Sequence, residues 1–433
     1  MSAFRNGLHP FTRVVAAYRR DMRDPDAPRL PSSPGFWRSP LRGPWFTSVL
    51  GLVLLVGVTV LFVTGLVSYA AYNPDLSPVN DKTPDKGVLG FYLFDWPTDP
   101  HWLYRLNQGV HVTLGITLIP VLLAKLWSVV PRLFALPPAR SLAHALERIS
   151  LLLLVGGALF QFVTGVLNVQ LDYVFPGSFY PLHFYGAWVF FAAFVAHVLL
   201  RMPTALRTLR HPREEGNDLV SPRPAEPTAS RRGALWFVGG GSLLLFATTA
   251  GQNFDGPLRR TALLAPHGGG DPGSGPNGFQ INKTAAYAGI DAAETGENAW
   301  RLTVTGRTGT VRLSRNELLR LPLYSAALPI ACVEGWSTSD QWWRGVRLRD
   351  LAALVGYGAD PPDVFVGSLQ RSGAFREAAL RANQVADPRS LLALYVNGEE
   401  LSLDHGHPAR IIVPAAPGVL NTKWVTRMTF GDL

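Results

Sequence analysis

Two histidines in one apolar segment have a spacing that suits metal chemistry. His183 and His197 lie fourteen residues apart. Fourteen helical residues at about 100° each fall about 40° short of four turns, so both side chains face one side, about 21 Å apart along the axis. The pair therefore suits two stacked haems, because ionisable side chains inside a membrane usually have a partner or a metal. The alternative for His197 is a histidine that is hydrogen-bonded inside the bundle.

The chain contains one cysteine, Cys332, so no intrachain disulfide can form. A thiolate is a suitable ligand for a soft metal site. The alternative is a buried free cysteine that packs as a small hydrophobic residue. A lone thiol outside the cytoplasm is exposed to oxidation unless something occupies it, which favours the ligand interpretation.

Five segments are apolar enough to cross a bilayer of about 30 Å, which needs about 20 helical residues. They are Trp45–Tyr69, Val110–Val130, Ile149–Leu167, Phe184–Leu200 and Ala234–Ala250. Arginines concentrate in the N-terminal tail and in the second-to-third and fourth-to-fifth connections, whereas the first-to-second loop is rich in Asp. This asymmetry predicts a multi-pass plasma-membrane protein with a cytoplasmic N-terminus and an extracytoplasmic C-terminal domain. Membrane topology also accounts for the net charge of +9, so we expect no nucleic-acid partner.

The expected fold is a membrane all-α bundle of five transmembrane helices followed by a soluble α+β domain. The predicted segments are a cytoplasmic tail at 1–44, a four-helix haem b domain at 45–201, a cytoplasmic linker at 202–233, a fifth helix at 234–250, a flexible linker at 251–278 and an extracytoplasmic domain at 279–433. The run from Ser230 to Gly233 contains two arginines and resembles a twin-arginine export signal. Arginines that simply mark the cytoplasmic side are an equal alternative.

A third histidine, His111, lies in the first turn of the second span, which starts outside. His183 also lies at the outer end of its span, so the two match in depth and could bind one haem iron between facing helices. Residues 45–201 here resemble the membrane cytochrome b subunits of formate dehydrogenases and hydrogenases. The resemblance implies one or two haems b and exchange of electrons with membrane quinone or quinol. In those proteins the first span supplies the second ligand of the inner haem, but this chain has no histidine there, and His144 is the nearest candidate partner for His197.

Strands and short helices alternate in the C-terminal third. Alternating side chains predict strands at Trp300–Thr305 and Val311–Leu313. Ser314 with Glu317 three residues later predicts a capped helix, and Asn397-Gly398 predicts a tight hairpin.

The region from Phe279 to the C-terminus resembles the sulfite oxidase family of molybdopterin enzymes. The resemblance depends on an Asp-His-Gly loop at 404–406, with Arg410 five residues and Lys423 eighteen residues after His405. The resemblance implies that His405, Arg410 and Lys423 hold the anionic phosphate and the edge of the pterin, with Asn282-Lys283 as a second contacting segment. It also implies that Cys332 is the molybdenum ligand and the catalytic centre.

The residues after Cys332 depart from the eukaryotic sulfite oxidases, which have an arginine-containing run that helps to hold sulfite. The run from Val333 to Ser337 is closer to the catalytic subunit of the bacterial periplasmic methionine sulfoxide reductase. Arg344 or Arg371 could replace the lost contact. We also expect no immunoglobulin-like dimerisation domain after Lys423-Trp424.

These observations predict a membrane-bound molybdenum oxidoreductase that exchanges electrons with quinone through haem b and transfers oxygen to or from a small molecule. Reduction of a sulfoxide- or N-oxide-like substrate is favoured because the sulfite-binding run is absent. A sulfite-type dehydrogenase that feeds quinone is the first alternative. A haem electron relay with a degenerate soluble domain is the second.

Overall fold

A computed structural model describes residues 31, 36–80, 94–134, 141–169, 179–211, 224–265, 273–373 and 376–431. Most of the predicted cytoplasmic tail, part of the cytoplasmic linker and the side chain of His144 lie outside these described residues. The chain forms two compact units. One comprises the described parts of Met1–Val60, Gly115–Val163 and Tyr185–Leu245, and the other comprises those of Leu61–Leu114, Thr164–Phe184 and Phe246–Leu433.

Six long helices lie within the described residues of the N-terminal part. They are α1 (Pro44–Ala70), α2 (Leu103–Thr117), α3 (Ile119–Leu133), α4 (Leu142–Asn168), α5 (Tyr180–Arg210) and α6 (Arg231–Ala247). Four described segments are long and apolar enough to cross a membrane, and α2 with α3 adds a fifth if this bent pair is one span. Each of the five predicted spans therefore falls on helix, and by length and composition these helices are candidate spans.

The second predicted span, Val110–Val130, is not one straight helix. It breaks at Leu118 into α2 and α3, which are bent by 40°. Pro120 lies in the first turn after the break. Proline has no N–H to donate and its ring clashes with the carbonyl four residues earlier, so a continuous helix cannot pass through it unbent.

The C-terminal part contains two five-stranded sheets. The first has the order β2 (Gly309–Leu313), β1 (Leu302–Gly306), β10 (Val425–Phe430), β5 (Val364–Ser368), β6 (Glu377–Leu380), with β1 and β10 parallel. The second has the order β3 (Tyr324–Leu328), β4 (Gln341–Arg347), β7 (Leu391–Val396), β8 (Glu399–Glu400), with β9 (Arg410–Ile412) also on β7. Leu302, Val304, Val346 and Leu392, from both sheets, lie in one fully buried core.

The local predictions for this part are confirmed. Both predicted strands are present as β1 and β2, and α7 (Arg315–Leu319) begins with a complete capping box between Ser314 and Glu317. Asn397 and Gly398 join β7 to β8 with φ of 51° and 93°, as a tight hairpin requires. Two further short helices are α8 (Leu348–Leu354) and α9 (Ala382–Ala386).

The predicted flexible linker at 251–278 is ordered at its start. Residues 250–253 and 256–261 form two 3-10 turns, and Gln252 is fully buried. The Gln252 carbonyl accepts from the Ser337 N–H at 3.1 Å, and the Ser337 hydroxyl donates to Asn253 at 3.1 Å. The glycines and prolines predicted flexibility, but the polar side chains beside them fix this segment to the domain.

Candidate active site

A tight loop between β3 and β4 holds Cys332. The Cys332 N–H donates to the Trp336 carbonyl at 2.8 Å, and the Gly335 N–H donates to the Cys332 carbonyl at 3.1 Å. Trp336 fills the loop from inside and is 2% exposed. The thiol is thereby buried at a fixed position, as a metal ligand must be.

All six residues that the sequence assigned to molybdopterin line one pocket. Its volume is about 610 Å³, including the space open to solvent. The predicted lining residues are Asn282, Lys283, Cys332, His405, Arg410 and Lys423. Arg410 begins β9 and the other five lie outside the strands, so the fold brings together groups that are up to 141 residues apart in the chain.

Arg410 and Lys423 are buried cations fixed by backbone carbonyls. Arg410 donates to the carbonyls of His405 at 3.0 Å and Asn421 at 3.3 Å. Lys423 Nζ donates to the Asp404 carbonyl at 2.9 Å and also to that of Lys283. Neither cation has a buried carboxylate as its partner among these bonds, so a bound anion would neutralise them.

Burial in the pocket, and repulsion from Arg410, disfavour the charged forms of these side chains. Burial lowers the pKa of Arg410 to about 9, and burial together with Arg410 lowers that of Lys423 to about 7. Burial and then Arg410 also lower the pKa of His405 to about 3, which keeps this imidazole neutral. His405 stacks on Phe279, with ring centres 3.8 Å apart, and its Nε2 contacts the Asn277 carbonyl at 2.9 Å.

Three buried groups on the pocket wall have no hydrogen-bond partner in the part of the protein that the structure describes. They are Arg410 Nε, Asn421 Nδ2 and the Thr422 hydroxyl. Each can donate, and buried donors are rarely left unpaired in native proteins. This set fits an oxyanion such as the pterin phosphate. Sequence reasoning missed Asn421 and Thr422, although they directly precede Lys423.

Glu334 was also assigned no role from the sequence. Its carboxylate accepts from the Cys332 thiol at 2.7 Å and from the Trp336 indole N–H at 3.0 Å. Burial raises the pKa of the Cys332 thiol well above its usual value, and Glu334 raises it further. The thiol is therefore protonated in the free protein, and a metal bound there would have to displace its proton.

The suggested substitutes for the sulfite-binding arginine do not reach the pocket. Arg371 pairs with Glu294 and is 78% exposed, and Arg344 lies over the Tyr395 ring. Neither lines the pocket around Cys332. Their positions on exposed faces of the domain could not be read from sequence spacing.

His111 and His183 are brought together as predicted. Their ring centres are 6.3 Å apart. Two imidazoles on opposite sides of one iron, each bonded at about 2 Å, have ring centres roughly 6 Å apart, so the pair fits a haem iron. Thr64 contacts His111 Nδ1 at 2.9 Å and Thr164 contacts His183 Nδ1 at 3.0 Å, so the two rings are oriented by equivalent threonine contacts.

His197 lies in the other unit. The charged groups close enough to act on it are Lys125, Arg201 and Arg132. Among the described residues, no three His, Cys, Asp or Glu side chains form a metal-binding group. A single cysteine or a pair of histidines is enough protein ligation where a pterin or a porphyrin supplies the other ligand atoms.

Helix α2 connects the histidine pair to the cysteine loop. Gln108, one turn before His111, donates to the Val333 carbonyl beside Cys332. Arg105 donates to the Ser337 hydroxyl at 3.0 Å and to the Asn253 carbonyl. A Cβ at Gly335 would lie 2.5 Å from Val112, so helix and loop pack in direct contact.

Comparison with known proteins agrees with the pocket. Residues 289–432 match the family described as oxidoreductase molybdopterin binding domain. Human mitochondrial sulfite oxidase is 28% identical over 158 residues, covering 30% of this chain and 29% of that protein. The uncharacterized oxidoreductase YuiH of Bacillus subtilis is 31% identical over 136 residues, covering 30% of this chain and 65% of that protein.

Among solved structures, the sulfane dehydrogenase SoxCD from Paracoccus pantotrophus matches 32% of this chain and 39% of its own at 24% identity. The TM-score of this match is 0.29. The chain spans less than a third of the length of the human sulfite oxidase that it matches. The pocket and the sequence matches together identify residues 289–432 as an oxidoreductase domain of the molybdopterin-binding, sulfite oxidase-like type.

Proposed function

We propose that this chain is a membrane-bound molybdopterin oxidoreductase that couples quinol or quinone electron transfer, through haem b, to oxygen-atom transfer at Cys332. The observation that carries the proposal is the packing of α2 against the cysteine loop. The helix bears His111, and its Gln108 and Val112 touch Val333 and Gly335. If His111 holds a haem, α2 would be the direct protein link between that haem and the Cys332 loop.

Three features support a plasma-membrane location with lipid around the helices. The candidate spans are long and apolar. Helix α6 buries none of its residues, and Trp236, Phe237 and Leu243 are each more than 60% exposed, which suits contact with lipid. The arginine distribution supports an N-terminus in the cytoplasm and a molybdopterin domain outside it.

The favoured reaction is reduction of a sulfoxide- or N-oxide-like substrate. When bound, a molybdenum centre supplies two-electron oxygen-atom transfer. Reduction of a sulfoxide consumes two electrons and two protons and releases the sulfide and water, and quinol supplies both electrons. Cys332 holds the metal, while Arg410 and Lys423 hold the anionic end of the pterin. Arg344 and Arg371 do not line the pocket, so neither stands in for the sulfite-binding arginine of the eukaryotic enzymes.

The second candidate is the reverse flow, in which a sulfite-type dehydrogenase passes electrons to quinone. Its support is the similarity to proteins that are named sulfite oxidases. The loop after Cys332 is the feature that separates the two candidates.

Purified full-length protein in detergent tests the choice. One assay supplies a reduced viologen dye and methionine sulfoxide, and the other supplies sulfite and ferricyanide. We expect turnover in the first assay that is lost in Cys332→Ser. Activity with sulfite alone would reject the reductase assignment in favour of the dehydrogenase.

A further inference from the structure

The first four predicted spans contain an internal repeat, and its two copies contact His111 and His183. The sequence Phe-Val-Thr-Gly occurs at 62–65 in α1 and again at 162–165 in α4. In each copy the threonine hydroxyl contacts Nδ1 of a histidine, His111 or His183. A Cβ on Gly65 would lie 3.2 Å from His111 Cε1, and one on Gly165 would lie 3.3 Å from His183 Cε1. The pair α1 and α2, and the pair α4 and α5, thus each hold one imidazole against a threonine and a glycine.

The repeat predicts where a second haem would be held. A second haem, at an inner level, would lie fourteen residues away along each helix. This step leads forward from His183 to His197 and back from Gly65 to Gly51. The same step leads from His111 to Lys125 and back from Gly165 to Leu151. Two of the four positions that hold the outer haem therefore carry a different residue at the inner level.

Lys125 occupies the place of the missing imidazole. Its Nζ lies 3.1 Å from where a Cβ on Gly51 would be, just as His111 lies against Gly65. The same Nζ donates to the Thr47 carbonyl at 2.7 Å. A protonated lysine has three donors and no lone pair, so it cannot bind iron.

Direct contacts close the remaining space between the inner parts of α1 and α3. The Thr47 hydroxyl donates to Ser128, which is fully buried and donates in turn to the Lys125 carbonyl. At the fourth position the sequence has Leu151, so the backbone there carries a side chain where Gly165 carries none at the outer level. The inner residues do not fit a haem.

We propose that the bundle holds a single haem b, between His111 and His183, and that Lys125 replaces the second haem site. His197 is then not an iron ligand, and quinol electrons reach the molybdopterin domain one at a time through one haem. This inference rests on the proposed function, which supplies the outer haem.

Haem content per chain tests the proposal in full-length protein purified in detergent. Pyridine haemochrome spectra with protein quantitation give the stoichiometry, and a redox titration of the haem band gives the number of one-electron steps. We expect one haem and one step. His111→Ala and His183→Ala should each lose the haem. The matched control His197→Ala should keep it, and so should Lys125→Met and His144→Ala.

Two haems per chain, or loss of haem in Lys125→Met or His197→Ala beyond the loss in protein yield, would overturn the single-haem proposal and leave the proposed function standing. A wild-type chain without any haem would instead reject the haem route itself. Circular dichroism of each variant separates ligand loss from failure to fold.

Discussion

Gly335 is the position where a single methyl group should disturb both the cysteine loop and its contact with α2. Its φ is 92°, in the region that disfavours side chains, and a Cβ would lie 2.5 Å from Val112. Gly398 has a φ of 93° with open space around its Cβ position, so it is the matched control. Gly398→Ala adds backbone strain alone, while Gly335→Ala adds strain and a clash.

The magnitudes separate the two variants. Left-handed backbone costs an alanine about 1–2 kcal/mol, and overpacking of a tight contact costs typically about 1–3 kcal/mol more. Gly398→Ala should thus lower stability by about 1–2 kcal/mol and Gly335→Ala by about 2–5 kcal/mol. A domain of this size loses about 2–4 °C of Tm for each kcal/mol.

The assay combines thermal unfolding in detergent with the rate at which added sulfoxide reoxidises the reduced haem. Gly335→Ala should show the larger fall in Tm and slower haem reoxidation, and Gly398→Ala should leave the reoxidation rate unchanged. Equal falls in Tm, or normal haem reoxidation in a folded Gly335→Ala variant, would refute the argued contact between α2 and the loop.

Further predictions concern the pocket and one helix end. Cys332→Ser should abolish substrate turnover and leave the haem spectrum unchanged; surviving turnover would disprove the ligand assignment. Arg410→Ala should weaken pterin binding by at least about tenfold, because a hydrogen bond to a charged group contributes about 1.5–3 kcal/mol, while the half-exposed Arg427→Ala should retain full molybdenum content. Because the pKa of Lys423 is lowered to about 7 and a bound anion raises it again, anion binding takes up a proton above pH 7. Binding of inorganic phosphate, measured by calorimetry, should therefore weaken from pH 7 to pH 9, with a smaller change in Lys423→Arg; binding that strengthens with pH would contradict this. Ser314→Ala should cost about 1 kcal/mol of unfolding free energy through loss of the cap, and no change in denaturant midpoint would contradict the capping role.

Local signals in the sequence predicted much of what the structure contains. Apolar runs placed the helices, and the Ser314 cap and the Asn397-Gly398 turn were each predicted from a few neighbouring residues. The pocket residues were predicted from the spacing of a family motif, because residues that match such a motif occupy equivalent positions in the fold. The proximity of His111 and His183 followed from their matching positions near the ends of two predicted spans.

Features that depend on long-range contact could not be predicted in this way. The bend before Pro120 has a local cause, but whether a proline bends a span depends on its neighbours. The order at residues 250–261 depends on Ser337 and Gln280, which lie far along the chain. The predicted division between bundle and soluble domain also differs from the observed units. The described parts of Leu61–Leu114 and Thr164–Phe184 belong to the same unit as the C-terminal domain, and polar contacts such as Asn73 to Gln384 at 2.9 Å join them.

Molybdenum and iron content per chain of the intact purified protein tests the central claim most directly. The claim is that one polypeptide carries both a molybdopterin centre at Cys332 and a haem between His111 and His183. We predict one molybdenum and one iron per chain, with molybdenum alone lost in Cys332→Ser. Iron without molybdenum or pterin would contradict the claim and identify the chain as a haem electron relay with an inactive soluble domain.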